Sequence, residues 1–178
     1  MSCKDLTSRC DPVHLCEDMR IAFPECRCES ESVSVFSPSP VADNEILARQ
    51  IFSPIHIDPE TGKVTPAAFS DVANKGLSVS RLTYCPEEEV DRKGDQKARV
   101  DTERGRKKSY HGFIRGRCGD LRAIKKDDGQ RLFCVYDTAF EHDAAHADAC
   151  QAVDQGPSAN KKARKILRDQ FEKVPWKG

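Results

Sequence analysis

No apolar run in this chain approaches the roughly 18–20 residues that a bilayer-spanning helix needs. The opening residues, MSCKDLTSRC, have neither a basic start nor an apolar stretch, so no secretory signal is expected. The Walker, dinucleotide-binding, nucleophile-elbow and HExxH patterns are all missing. Those absences remove the ready-made signatures for phosphate cradles, serine hydrolases and helical zinc proteases. No internal repeat is found either. The expectation is a soluble, cytoplasmic protein with no membrane association, whose activity no single motif announces.

What is present points to one modest core. The chain has 178 residues, 38% apolar and 33% charged, enough for one domain plus an extension and too few for two full-sized ones. Nine cysteines are many for a chain without a signal. In a reducing cytosol they are expected to be thiols or metal ligands rather than disulfides, and an odd count leaves at least one over. Net charge is zero, but residues 1–90 carry 8 Lys/Arg against 15 Asp/Glu, and residues 91–178 carry 21 against 14. The two halves either neutralise each other internally or offer separate faces to partners.

Residues 1–42 hold five cysteines and show poor apolar periodicity. They are expected to form a cysteine-rich extension, with a short strand at Val33–Phe36 and a Ser/Pro linker after it. An α+β core domain is expected over 43–178, a small, mostly antiparallel sheet with a few packed helices. Glu45–Phe52 is too short for its period to choose between helix and strand. Thr65 and Pro66 open a helix that Gly76 ends, and Leu77–Leu82 alternates like a half-buried strand. Residues 86–108 read as a solvated excursion. Tyr110–Arg117, Leu121–Lys125 and Arg131–Tyr136 read as strands, the last two joined by a tight turn at Asp127–Gly129. An Ala-rich helix over 143–152 and an amphipathic helix over about 159–172 complete the chain.

Four groups of residues carry chemistry. Cys10, His14, Cys16, Cys26 and Cys28 have the ligand types of a tetrahedral zinc site, although their spacing matches no standard finger or ribbon. Ordinary thiols fit the same residues. His142, His146 and Cys150 recur every four residues, so a helix would align them as metal ligands or bury His146 in the core. His56, Ser78, Arg81 and His111 are spread over a loop and two expected strands. A histidine and an arginine there would do acid–base work and hold an oxyanion, if the fold brings them together. The basic run Arg99, Arg104, Arg106, Lys107 and Lys108 offers phosphate contacts, but Asp101 and Glu103 interrupt it and the run has no aromatic for base stacking until Tyr110.

The motifs at Ser53–His56, Ala68–Phe69, Gly76–Arg81 and His146–Asp148 resemble a family of small, uncharacterised bacterial proteins, over about residues 43–152. Such proteins resemble accessory genes near prokaryotic antiviral defence loci, and the chain's size is similar to that of a small CRISPR accessory protein. The resemblance implies binding to another protein of the same locus and groups His56, Arg81 and His146 as catalytic candidates. It implies no cofactor. Two further readings stand beside it: a small enzyme acting on a phosphate-bearing substrate, nucleotide or RNA, and a zinc-dependent nucleic-acid binder.

Overall fold

The computed structural model describes residues 2–9, 11–154 and 156–171. It is an α+β fold built on one five-stranded antiparallel sheet: β1 (Ile46–Ser53), β2 (Leu77–Arg81), β3 (Ser109–Arg117), β4 (Phe133–Tyr136) and β5 (His146–Gln151), in the order β3-β1-β2-β5-β4. The ambiguous Glu45–Phe52 segment is thus a strand, paired on both sides by β2 and β3. Among the described residues no helix is long and apolar enough to cross a membrane.

Strand alternation gives the sheet two unlike faces. Leu47, Ile51, Leu77, Val79, Ala147 and Ala149 point to one side and form the main core. A 3-10 helix over Pro66–Ala73 and helix α5 (Pro157–Phe171) close that side, with Phe69 and Phe171 in ring contact at 5.5 Å. The short helix α4 (Cys118–Arg122) also contributes, through Cys118 and Leu121.

The second face is covered in two separate pieces. Helix α3 (Glu87–Glu103) lies over β3 and β1, where Val90 packs with Ala48 and Cys85. Gly94 interrupts the sequence pattern but not the helix, because a Cβ there would come within 2.3 Å of the Tyr110 ring. The other piece is the N-terminal segment, with α1 (Cys3–Arg9), α2 (Leu15–Ala22) and a 3-10 stretch over Pro24–Ser30. It packs a second cluster, including Met19, Phe23 and Val33, onto Cys134, Tyr136 and Cys150 of β4 and β5.

Several expectations fail here for identifiable reasons, the solvated excursion over 86–108 among them, since Val90 buries helix α3 against the sheet. Six of the cysteines are not thiols: Cys3–Cys28, Cys16–Cys150 and Cys26–Cys134 are disulfides, and among the described residues Cys85 and Cys118 are free. Residues 143–152 are not an Ala-rich helix but contain β5. Between β2 and β4 its small Ala147 and Ala149 let the core layers approach closely, and that packing overrides helix propensity. Leu121–Lys125 is no strand either. Leu121 and Ile124, three apart, face the same core from α4 and its exit.

The stretch at Val33–Phe36 forms a bend rather than a strand. Buried Asp137 accepts the Val33 amide at 2.7 Å and also the Ser37 hydroxyl. Nor does the region over 1–42 stand apart from the core. Besides the two disulfides into β4 and β5, Glu29 takes the Val135 amide at 2.5 Å and ion pairs with Arg122 and Arg131. Together with Asp43–Arg122 and Glu87–Arg115, these pairs join the acidic half of the sequence to the basic half.

Six of the eleven buried residues in the N-terminal cluster are half-cystines, whereas the main core contains none. Removing the cross-links should therefore release the extension while the main body stays folded. Hydrogen exchange of the reduced chain measures this. Residues 3–33 should lose protection and β1, β2 and β3 should keep theirs; uniform loss would mean that the two cores fold as one unit.

Candidate functional site

Between α3 and the N-terminal segment, the middle of the second sheet face is left uncovered. A cavity of about 660 Å³ lies there, within the range that takes a drug-sized ligand. Its wall on one side includes Thr7, Pro12, Val13 and the 33–36 bend, and α3 contributes Lys97 on the other. Gln50, Ser78, His146 and Asp148 come from the sheet itself.

His56 and His146 both line this cavity, but Arg81 does not. Arg81 is fully buried, with both arms of its guanidinium on Glu45 at 2.6 and 2.8 Å. Its remaining hydrogens go to Ser39 and Pro40 carbonyls, and the Tyr84 ring lies 4.6 Å from its Cζ. A bidentate pair of this kind orders the chain, and removing one partner of a buried pair typically costs about 3–5 kcal/mol.

The arginine at the cavity is Arg49. The β1–β2 ladder registers only Leu47 with Arg81 and Ala48 with Ser80. Just beyond it, Arg49 donates to the Ser78 carbonyl at 3.0 Å and to the Ala68 carbonyl at 2.8 Å. Burial lowers its pKa to about 10, while Asp71 and Asp148 oppose the shift. It is therefore a charged, fixed guanidinium at neutral pH. Lys97 and Lys108 join it, with ammonium groups 5.5 and 5.9 Å from the centre of the Phe52 ring. Desolvation, then Arg49 and Lys108, lower the pKa of Lys97.

The two histidines present opposite edges. The Phe52 amide donates to His56 Nδ1 at 3.1 Å, so the ring hydrogen is assigned to Nε2. His146 Nδ1 lies 3.0 Å from both the carbonyl oxygen and Oγ1 of Thr138. A carbonyl only accepts, so Nδ1 carries the hydrogen and Nε2 keeps a lone pair. Thr138 Oγ1 in turn donates to Asp148 Oδ2 at 2.7 Å. Asp148 packs against Gly76, where a Cβ would approach its carboxylate to 2.8 Å. One imidazole is thus a fixed donor and the other a supported base.

The remaining candidates lie apart. His142 is exposed on the turn before β5, and Cys150 is bonded to Cys16. His111 is exposed. Cys10 falls outside the described residues. Cys16, Cys26 and Cys28 are in disulfides, and His14 faces Glu17 at 3.3 Å. Among the described residues no group of three or more potential ligands is arranged around a metal position. A disulfide sulfur is no thiolate, so the zinc proposal concerns the reduced chain. In the basic run, Arg106 and Lys108 fold back on buried Asp101 at 3.2 and 3.3 Å, while Arg99, Arg104 and Lys107 are exposed.

Comparison with protein-family models, curated proteins and solved structures finds no match. The site is accordingly read from its geometry. Arg49 had a signal in the sequence, a lone charge inside the apolar run ILARQIF. Asp148 sat within the His146–Asp148 motif without an assigned role. Lys97, in an almost entirely polar helix, gave no sign.

His56 makes the fold pH-dependent. Burial, then Arg49 and Lys108, lower its pKa from 6.5 to about 4, with Lys97 adding and Asp71 opposing. Between those values the unfolded chain binds the extra proton. The stability contributed by neutral His56 is therefore complete above about pH 6.5 and drains as pH falls toward 4. Melting curves of the native chain and His56→Gln over pH 4–7 test this. The native chain should lose stability more steeply with acid; parallel curves would mean a solvated imidazole.

Proposed function

We propose that the protein is a small acid–base enzyme acting on a phosphate-bearing substrate, nucleotide or RNA, in the cavity over the middle of the sheet. The observation that supports this is the lining of one cavity by His56 and His146 together with Arg49, Lys97 and Lys108. With Lys4 and Lys75, five cations line the cavity against the three carboxylates of Asp71, Glu141 and Asp148, an excess of positive charge that suits a phosphate, and a guanidinium fork fits its oxygens. His56 Nε2–H adds a neutral donor to the same anion.

In this reading His146 Nε2 takes the proton of an attacking water or ribose hydroxyl. The freed oxygen bonds to phosphorus, the bond from phosphorus to the leaving oxygen breaks, and that oxygen recovers a proton from the imidazolium or solvent. Asp148 acts through Thr138 to hold the ring in the tautomer that keeps Nε2 unprotonated. The working chain is the disulfide-closed form, because the N-terminal segment is one wall of the cavity. A cytoplasmic setting would hold these three bonds against a reducing thiol pool.

Positioned general acid–base catalysis contributes roughly 10²–10⁴-fold. Replacing His146 with Asn should lower kcat on nucleotides or single-stranded RNA by about a hundredfold or more, with KM and melting temperature nearly unchanged. Absence of turnover by the native chain, or an undiminished kcat in the variant, overturns the catalytic reading.

A second reading keeps the chain as an accessory protein of a prokaryotic defence system that works by binding another protein. It is favoured by Ile21 and Ile55, which stand 74% and 58% exposed away from the cavity. Changing both to Ser should abolish recovery of a partner encoded in the same locus. Equal recovery by the native and changed chains would remove this reading.

A further inference from the structure

The cavity has a second chemical character that a phosphate does not use. Of the chain's eight phenylalanines, only Phe36 and Phe140 are exposed, at 48% and 56%, and both line this cavity. Val13 and Val35, at 51% and 76%, are exposed beside them on the same wall. An apolar group left in water at this density marks a surface with an occupant. Arg49, Lys97 and Lys108 come from β1, α3 and the segment entering β3, while these apolar groups come from the N-terminal segment, which also brings Lys4, and from the β4–β5 connection.

The backbone that carries the two rings is held in place. Ser34 Oγ donates to the Ala139 carbonyl at 2.6 Å, which ties the bend carrying Phe36 to the residue before Phe140. Buried Asp137 holds the same bend through the Val33 amide and the Ser37 hydroxyl. Phe140 rests on the His146 ring, centroids 4.5 Å apart and planes inclined by 41°. An aromatic face held by a hydrogen-bonded bend loses little freedom on stacking a flat ligand.

We infer that the cavity selects a phosphate carried on a flat aromatic body, a nucleoside phosphate, with Phe36 and Phe140 as the residues that recognise the base. This rests on the phosphate reading given above and adds the specificity to it. A sugar phosphate would satisfy Arg49, Lys97 and Lys108 and leave both rings in water. A free base would use the rings and forgo the cations. Stacking on aromatic side chains tolerates any base, since each has a π-face, so discrimination among bases is expected to be weak.

Titration calorimetry of the full, oxidised chain with adenosine 5′-monophosphate, ribose 5-phosphate and inorganic phosphate tests it. Base stacking of the usual strength makes the nucleotide bind about tenfold or more tightly than ribose 5-phosphate. Phe36→Ala with Phe140→Ala should bring the nucleotide down to the level of ribose 5-phosphate and leave ribose 5-phosphate unchanged. The unchanged arm shows that the variant remains folded. Equal binding of both ligands by the native chain overturns the inference and leaves the phosphate reading standing. Binding of none of the three overturns that reading and the inference with it. A double variant that keeps the nucleotide preference assigns the base to other residues and overturns the role given to these rings.

Discussion

The cross-links Cys16–Cys150 and Cys26–Cys134 fix the second face of the sheet, and most of what is distinctive about the molecule depends on them. The first face needs no such help, because its aliphatic and aromatic side chains bury one another. Over β4 and β5 the supply of apolar residues runs short, and half-cystines fill the cluster instead. Cys26 is even held at φ 60°, a left-handed conformation that a side chain normally avoids. Because the segment is anchored to β4 and β5 and α3 lies over β3 and β1, the polar residues on β2 and the adjoining half of β5 are left under neither. The cavity is the gap between two covers of different origin.

That gap explains why two arginines on neighbouring strands have such different roles. Arg81 lies on the core side of β2 and is paired with Glu45 in a buried, bidentate arrangement. Arg49 follows the same alternation on β1, yet the strands part beside it and its guanidinium reaches carbonyls at the cavity's edge. Its nearest carboxylate, Asp71, is 3.9 Å away and also paired with Lys75. Arg81 is neutralised at close range, whereas Arg49 keeps more of its field for a ligand.

Much of the sheet was legible in the sequence, because Leu77–Leu82 has the period of a half-buried strand and Tyr110–Arg117 and the end of Arg131–Tyr136 also read as strands. His56 and His146 were legible as chemistry-bearing residues, though not as neighbours of one cavity. What the sequence hid is non-local. The partner of Cys16 lies 134 residues away and that of Cys26 lies 108 away, and no local spacing encodes either pairing. The strand at His146–Gln151 was hidden by its own alanines, whose helical preference counts only where tertiary packing leaves a choice. Arg49 and Arg81 could not be told apart because which of them faces the cavity depends on where the β1–β2 ladder stops.

The protonation states of the two histidines follow from the same layout and bear on what chemistry the cavity can support. His56 sits among Arg49, Lys97 and Lys108, and a further positive charge there would be repelled as well as desolvated. It is kept neutral with its hydrogen outward on Nε2, which suits a donor to an anion and not a base. His146 is surrounded differently: the Thr138 carbonyl fixes the hydrogen on Nδ1, and the Asp148 carboxylate lies 3.8 Å from that nitrogen. A proton arriving at Nε2 would create an imidazolium beside a carboxylate, with Thr138 Oγ1 bonded to both groups. His56 is arranged to refuse a further charge, whereas His146 presents an unprotonated Nε2 on a ring held at Nδ1. That asymmetry is what a site needs if one imidazole is to move a proton while the other only holds the anion.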